Sequence, residues 1–306
     1  MSRTRIALGL LTGLLALLLV GPGSGASGEA ATDYPVSVTV TNGTVAIARK
    51  PTRIVSLSPT ATESLFAIGA GPQVIAVDDQ SDYPKQAPKT NLSGFTPNVE
   101  AIVARRPDLV VISYSPKGFT EALEKFGITV LHMDAAKSLK GAYQQIRQLG
   151  RVTDREAAAA RVTDTMKARI AAIVKRARPK SSGRTVFHEL SPDLYSATSA
   201  TFAGRVYELF GLKNIADAAD SFGSGYPQLA AEYVVAADPD VVVLADTVCC
   251  AQTAATVAAR PGWSGMKAVK TGSVVRIDDS IASRWGPRIV NFVRAVGSAL
   301  RRLENV

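Results

Sequence analysis

The chain is poor in the residues that most often carry chemistry. Of its 306 residues, two are cysteine and two are histidine. The cysteines are neighbours, Cys249 and Cys250, so they cannot staple distant segments. Adjacent Cα atoms stand ~3.8 Å apart, below the usual separation across a disulfide. That leaves them as small loop residues or a local vicinal pair. A zinc centre draws on a richer cluster of His, Cys and acid. His132 lies in an apolar segment and His188 in VFHEL, so no metal site is expected. The P-loop, the GxSxG nucleophile elbow and HExxH are all missing. The GxGxxG match at Gly23, Gly25 and Gly28 has no strand before it and carries no dinucleotide reading. No catalytic residue and no resident cofactor is assigned, and the chain is read as a non-enzyme.

Long uncharged apolar runs are equally scarce, and the exception is at the N-terminus. Arg3 and Arg5 precede residues 6–20, which carry no charge, and small residues follow over 21–31. This is the pattern of a secretory signal. At about 1.5 Å per residue the run spans roughly 22 Å, short of a ~30 Å hydrocarbon core. A leader over 1–26 is therefore expected, with export to the periplasm or the outer face of the membrane. Pro22 stands where a lipobox would place its cysteine, which excludes a lipid anchor by that route.

Acid is in deficit: 35 Lys and Arg face 26 Asp and Glu, a net charge of +9. Loss of Arg3 and Arg5 with the leader leaves 33 − 26 = +7. A basic surface suits anionic small ligands, anionic membrane or nucleic acid. No nucleic-acid motif is present, and export argues against that partner.

What the chain does have, it has twice. Residues 94–113 read GFTPNVEAIVARRPDLVVIS and residues 225–245 read GYPQLAAEYVVAADPDVVVLA. Each copy sets an aromatic and a proline before a glutamate, Glu100 or Glu232. Eight residues on comes the aspartate of Pro107-Asp108 or Pro239-Asp240, and then an apolar run. The copies lie 232 − 100 = 132 residues apart, too far for a solenoid repeat and right for two lobes.

Strand-like runs at 53–57, 73–77, 109–113 and 129–133 alternate with helical segments at 61–68, 120–126 and 139–149. This is the signature of parallel strands under covering helices. Thr60 and Glu63 have capping-box spacing, as do Thr153 and Glu156. From 154 to 178 there is no Gly or Pro, and Val162, Met166, Ile170 and Ile173 form one stripe. That segment reads as a rigid helix joining the lobes. The second half repeats the alternation and closes with an amphipathic helix over 287–302. The chain is thus divided into a leader (1–26), an arm or edge hairpin (27–50), a first lobe (51–152), a connector (153–180) and a second lobe (181–306). The fold class is α/β, with two lobes of mainly parallel sheet on one long helix and a ligand cleft between them.

Open α/β sheets bind ligands outside the carboxyl ends of their strands. Ser58, Pro59 and Thr60 open a helix there, offering free N–H groups. Tyr83, Gly94, Phe95, Tyr114 and Tyr226 lie in such loops, and Arg284 and Trp285 add a cation beside an aromatic. The mix suits a large, flat or anionic ligand. Glu100 and Glu232 sit near helix N-termini, where a carboxylate is favoured. Their equivalence in two lobes makes them candidates for docking a two-fold partner.

Together, RIVSLSPTATESLFAIGAG, VIAVDDQSDYP, the two repeats and RWGPRIV resemble the periplasmic binding proteins for cobalamin and ferric siderophores, over roughly residues 50–304. The resemblance implies a monomeric binder, without catalysis, that hands a small-molecule metal chelate to the permease subunits of an ABC importer. It also implies that Glu100 and Glu232 meet arginines on those subunits. The cobalamin binders have tryptophan where this chain has Gly94-Phe95 and Tyr226. The alternatives are a haem binder using Tyr226 or His188 as axial ligand and an exported enzyme on the same fold.

Overall fold

The computed structural model describes residues 33–177 and 183–303. The leader expected over 1–26 lies outside them. The described chain opens with an antiparallel hairpin, β1 (Val36–Val40) on β2 (Gly43–Ile47). In β1, Val36 and Val38 turn inward while Ser37 and Thr39 face water. The hairpin is bound into the first lobe: Thr41 N donates to His132 O, and Asn42 bridges Val130 and His132.

The first lobe continues with β3 (Ile54–Leu57), α1 (Pro59–Ala67), β4 (Val74–Val77), α2 (Val99–Val103), β5 (Leu109–Ile112), α3 (Phe119–Glu124), β6 (Thr129–His132) and α4 (Leu139–Val152). A long helix follows, α5 (Glu156–Ala177). The second lobe comprises β7 (Thr185–Glu189), α6 (Phe202–Glu208), β8 (Lys213–Asn214), α7 (Ala231–Ala237), β9 (Val241–Leu244), α8 (Ala254–Ala258), α9 (Lys267–Lys270), β10 (Val274–Arg276), α10 (Asp279–Ala282) and α11 (Ile289–Arg302). Strands β3, β5 and β9 are buried at every residue, as a parallel sheet covered on both faces requires. The sheets run β4-β3-β5-β6 and β8-β7-β9-β10, parallel throughout. Numbered within its own lobe, each sheet reads 2-1-3-4, so the sequence repeat is also a repeat of topology.

The Pro-Asp pairs have a plain structural task. Asp108 accepts from Thr52 N (2.8 Å), Thr52 Oγ1 (2.9 Å) and Arg53 N (3.0 Å). Asp240 accepts from Thr185 N (2.8 Å) and Thr185 Oγ1 (3.2 Å). Each aspartate thus ties the start of its lobe's central strand to the start of the neighbouring strand.

Both capping boxes expected from sequence are replaced by other arrangements. Ser58 caps α1, its Oγ accepting from Ala61 N, and Pro59 takes the first helical position. Thr60 already lies inside the helix. Thr153 closes α4 by donating its hydroxyl to Leu149 O (2.7 Å). That local back-bond competes with capping the next helix, so α5 begins only at Glu156.

Helix α5 has 22 residues, about 33 Å at ~1.5 Å per residue. Met166 and Ile170 are buried, while Arg161, Asp164, Lys167 and Lys175 face solvent. It packs chiefly on α11 and α4. At Gly297 of α11 a Cβ would stand 2.8 Å from Ile173 Cγ2, so only glycine permits that approach. One continuous cluster of buried side chains runs from the hairpin through α5 to α11. Smaller clusters lie on the other face of each sheet, around Ile112 and Leu123 in the first lobe and around Phe187 and Trp263 in the second.

Candidate functional site

A sheet ordered 2-1-3-4 reverses direction between its first and third strands. The reversals here fall at β3/β5 and β7/β9, and the crevice beyond those carboxyl ends is where such sheets take ligands. Large apolar side chains are left in water in the loops of that edge. In the first lobe these are Phe95 (71% exposed) and Tyr114 (51%). Their ring centroids are 6.5 Å apart. In the second lobe they are Tyr195 (46%), Tyr226 (54%), Phe222 and Val248. The segments carrying Tyr195 and Tyr226 run antiparallel: Tyr195 bridges Gln228, and Ser196 N donates to Pro227 O. Aromatic rings left in water offer faces on which a flat ligand can stack.

Gly94 explains how Phe95 is presented. It is buried, and a Cβ there would lie 2.7 Å from Asp78 Oδ2 and 3.0 Å from Leu57 O. The backbone lies flat on the end of β3 and lifts the next side chain outward. Asp78 beneath it is nearly fully buried, and burial pushes its carboxyl up to about 6. Gly225 repeats the arrangement beside Tyr226, with φ +80° and Thr201 Cγ2 3.1 Å from a notional Cβ.

Other residues expected at the site are engaged in bonds within the chain. Arg284 donates to Glu63 Oε1 (3.1 Å), Asp82 Oδ1 (2.7 Å) and Gln80 O (2.7 Å). Arg288 reaches the same Glu63 oxygen at 2.5 Å. Its guanidinium lies 4.2 Å from the ring centroid of Tyr83. Arg284 and Tyr83 are thus engaged in a strut that ties the segment before α11 to the first lobe. Trp285 donates to Gln145 Oε1 (2.7 Å) and lines one small cavity with Ser58 and Thr60, both buried. The structure brings Phe95 and Tyr114 together and sets Tyr226 beside Tyr195, but it leaves Ser58, Thr60, Tyr83, Arg284 and Trp285 out of that group.

Glu100 and Glu232 are each the second residue of a short helix, α2 or α7. Both are exposed, and neither has a hydrogen-bond or ion-pair partner among the described residues. Asn98 caps α2, its Oδ1 accepting from Ala101 N (2.9 Å).

Sequence reasoning missed the brace beneath the second lobe's edge. Glu189, at the end of β7, is fully buried and receives both ends of the Arg260 fork at 2.6 Å. Arg260 also lies over Trp263 and donates to Gln252 (2.8 Å). Asp246 sits beside Glu189. Burial and then the charge of Glu189 push its carboxyl up to about 7. Asp246 O accepts from Cys250 N and Gln252 N, which folds the loop bearing Val248 and Cys249. The Cys249 thiol is pushed up to about 12, first by burial and then by Cys250 and Asp279, so it stays protonated and a poor nucleophile. His188 is fully buried, bonded through Nδ1 to Tyr207 OH (2.5 Å) and held neutral by burial, which pushes it down to about 4. It cannot reach a ligand as an axial base. Among the described residues no group of three or more His, Cys, Asp or Glu is set to hold a metal ion. Tyr195 and Phe222 are exposed as well, and a cue existed: each stands beside a serine in a polar segment, LYSATS and DSFGSG.

The comparisons agree with this architecture. Residues 54–281 match the family model described as periplasmic binding protein. An uncharacterized ABC transporter substrate-binding lipoprotein of Bacillus subtilis (strain 168) is 32% identical over 277 residues, covering 87% of this chain and 86% of its own. A cobalamin-binding protein of Halobacterium salinarum (strain ATCC 29341 / DSM 671 / R1) is 34% identical over 288 residues, covering 91% and 77%. The structure of a possible iron-binding (periplasmic solute-binding) protein from Staphylococcus epidermidis ATCC 12228 superposes with a TM-score of 0.69 at 26% identity, over 82% of this chain and 99% of that one. That family binds solutes and performs no catalysis. With its paired 2-1-3-4 sheets on one connecting helix, this chain belongs to the periplasmic binding protein family.

Proposed function

We propose that the protein is an extracytoplasmic solute-binding protein that captures a metal chelate, cobalamin or a ferric siderophore, and delivers it to an ABC importer. The observation that carries this reading is the set of aromatic side chains left in water at the carboxyl edge of both sheets, Phe95 and Tyr114 on one and Tyr195 and Tyr226 on the other. Apart from binding a flat ligand, nothing in those loops gives such rings a task. The cobalamin-binding relative at 34% identity supports the corrinoid arm, and the iron-binding neighbour supports the siderophore arm. Affinity then comes from preorganised aromatic area with little closure, because the Glu63 strut and α5 already tie the lobes.

Native mass spectrometry of residues 27–306 with cobalamin, several ferric siderophores and haem tests the reading. One saturable chelate adduct is expected. Absence of any adduct, or turnover of a ligand, contradicts it. Delivery rests on Glu100 and Glu232, the unpaired acids one on each lobe, meeting arginines of the permease. The double variant Glu100→Ala, Glu232→Ala is expected to keep chelate affinity and to abolish uptake in cells. Loss of affinity in a folded double variant would overturn the docking role.

A further inference from the structure

A groove of about 1000 Å³ is lined by the first lobe, α5 and the segment leading into α11. Neither Phe95, Tyr114, Tyr195 nor Tyr226 lines it. Its walls are mostly apolar. Phe66 and Val74 come from the first lobe, Val162 and Met166 from α5, and Val290 from α11. Its volume is at the upper end for small-molecule pockets.

The charge of this groove is one-sided. Among the described residues Glu63 is its only lining acid, and Arg284 and Arg288 already hold that carboxylate, at 3.1 and 2.5 Å. Arg161 and Arg169 stand on the α5 wall, eight residues apart, about 12 Å along the helix at ~1.5 Å per residue. Both are exposed, and neither has a hydrogen-bond or ion-pair partner among the described residues. Two uncompensated guanidinium groups over an apolar trough favour one chemistry: an anionic head with an apolar body. A flat multicharged chelate would leave the trough unfilled, and a cation would meet the two arginines.

We infer that this groove is a second ligand site, separate from the chelate site, which takes an amphipathic organic monoanion such as an alkyl carboxylate. The head pairs with Arg161 and Arg169, and the tail lies along Phe66, Val162, Met166 and Val290. Because all three parts of the chain contribute to the walls, one occupant touches both lobes and the connector at once.

Isothermal titration of residues 27–306 with dodecanoate, below its micellar concentration and with no chelate present, tests the site. Saturable binding of one molecule per chain is expected. The variant Arg161→Ala, Arg169→Ala is expected to bind about tenfold or more weakly while keeping the parent's thermal midpoint. Phe95→Ala with Tyr226→Ala is expected to bind dodecanoate unchanged. Dodecyltrimethylammonium, which has the same tail and a cationic head, is expected not to bind. Absence of saturable binding, equal binding of the cation, or indifference to the arginine pair overturns the inference. Loss of dodecanoate in the Phe95/Tyr226 variant would place it in the aromatic cleft and overturn it as well. None of these outcomes depends on whether the chelate reading holds.

Discussion

Asp246 shows how a single side chain is set by what surrounds it. Buried beside Glu189, which holds Arg260, it keeps a proton up to about pH 7, against an ordinary 3.8. The folded chain therefore binds a proton that the unfolded chain has released. The stability this contributes is complete below pH 3.8 and is lost as pH rises through about 7. Asp78, pushed up to about 6, acts in the same direction. His188, pushed down to about 4, acts oppositely: its contribution is complete above 6.5 and is lost as pH falls through 4. Asp246→Asn carries no titrating group, so its denaturation midpoint is expected to fall less than the parent's as pH rises from 4 to 7. Parallel pH curves for the two proteins would refute the assignment. Residues of this kind were illegible in the sequence because their partners are remote. Glu63 and Arg284 are 221 positions apart, so the strut they form does not show in an arginine that stands beside a tryptophan. Phe95, Tyr114 and Tyr226 were legible because an aromatic in a polar turn after a strand has little to pack on.

At the scale of the element, the strands were the most readable part. Runs such as LVVI and VVVL are buried at every residue, and continuous apolar segments of that length between turns fit little else. Helix starts were less readable, because several Ser, Thr and Asn residues compete for each cap. Ser58 caps α1 in place of Thr60, Asn98 caps α2, and Thr153 bonds backward. Strand β8, with two residues, is too short to leave a pattern. The Pro-Asp repeat was visible as a spelling, but its task was not, since the bonds from Thr52 and Thr185 span 56 and 55 positions. Asp108→Ala leaves the exposed N–H groups of Thr52 and Arg53 to water and is expected to cost about 1 kcal/mol. Asp240→Ala loses fewer bonds, but they are half-buried, and it is expected to cost at least as much. Urea denaturation of both variants checks this, and changes within a few tenths of a kcal/mol of the parent would remove the anchoring role.

The whole molecule is a repeated half-fold made asymmetric by its closing segment. Both sheets run 2-1-3-4, yet the stretch from Ser280 to Arg288 belongs to the second half of the sequence and bonds to Asp82, Glu63, Gln80 and Gln145 of the first. The repeat was plain in the sequence because it preserves spacing. The return strut was not, because it preserves nothing. With α5 and this strut holding the lobes, we propose that the two aromatic edges act as one site for one ligand. The most direct test measures chelate binding and stoichiometry for the parent and for Phe95→Ala, Tyr226→Ala and the double variant. Using the chelate found by mass spectrometry, the account predicts one ligand per chain. Each single variant should bind about tenfold more weakly, and the double variant more weakly still. Two ligands per chain, or a variant in one lobe that leaves affinity unchanged while the other abolishes it, would contradict a site shared between the lobes.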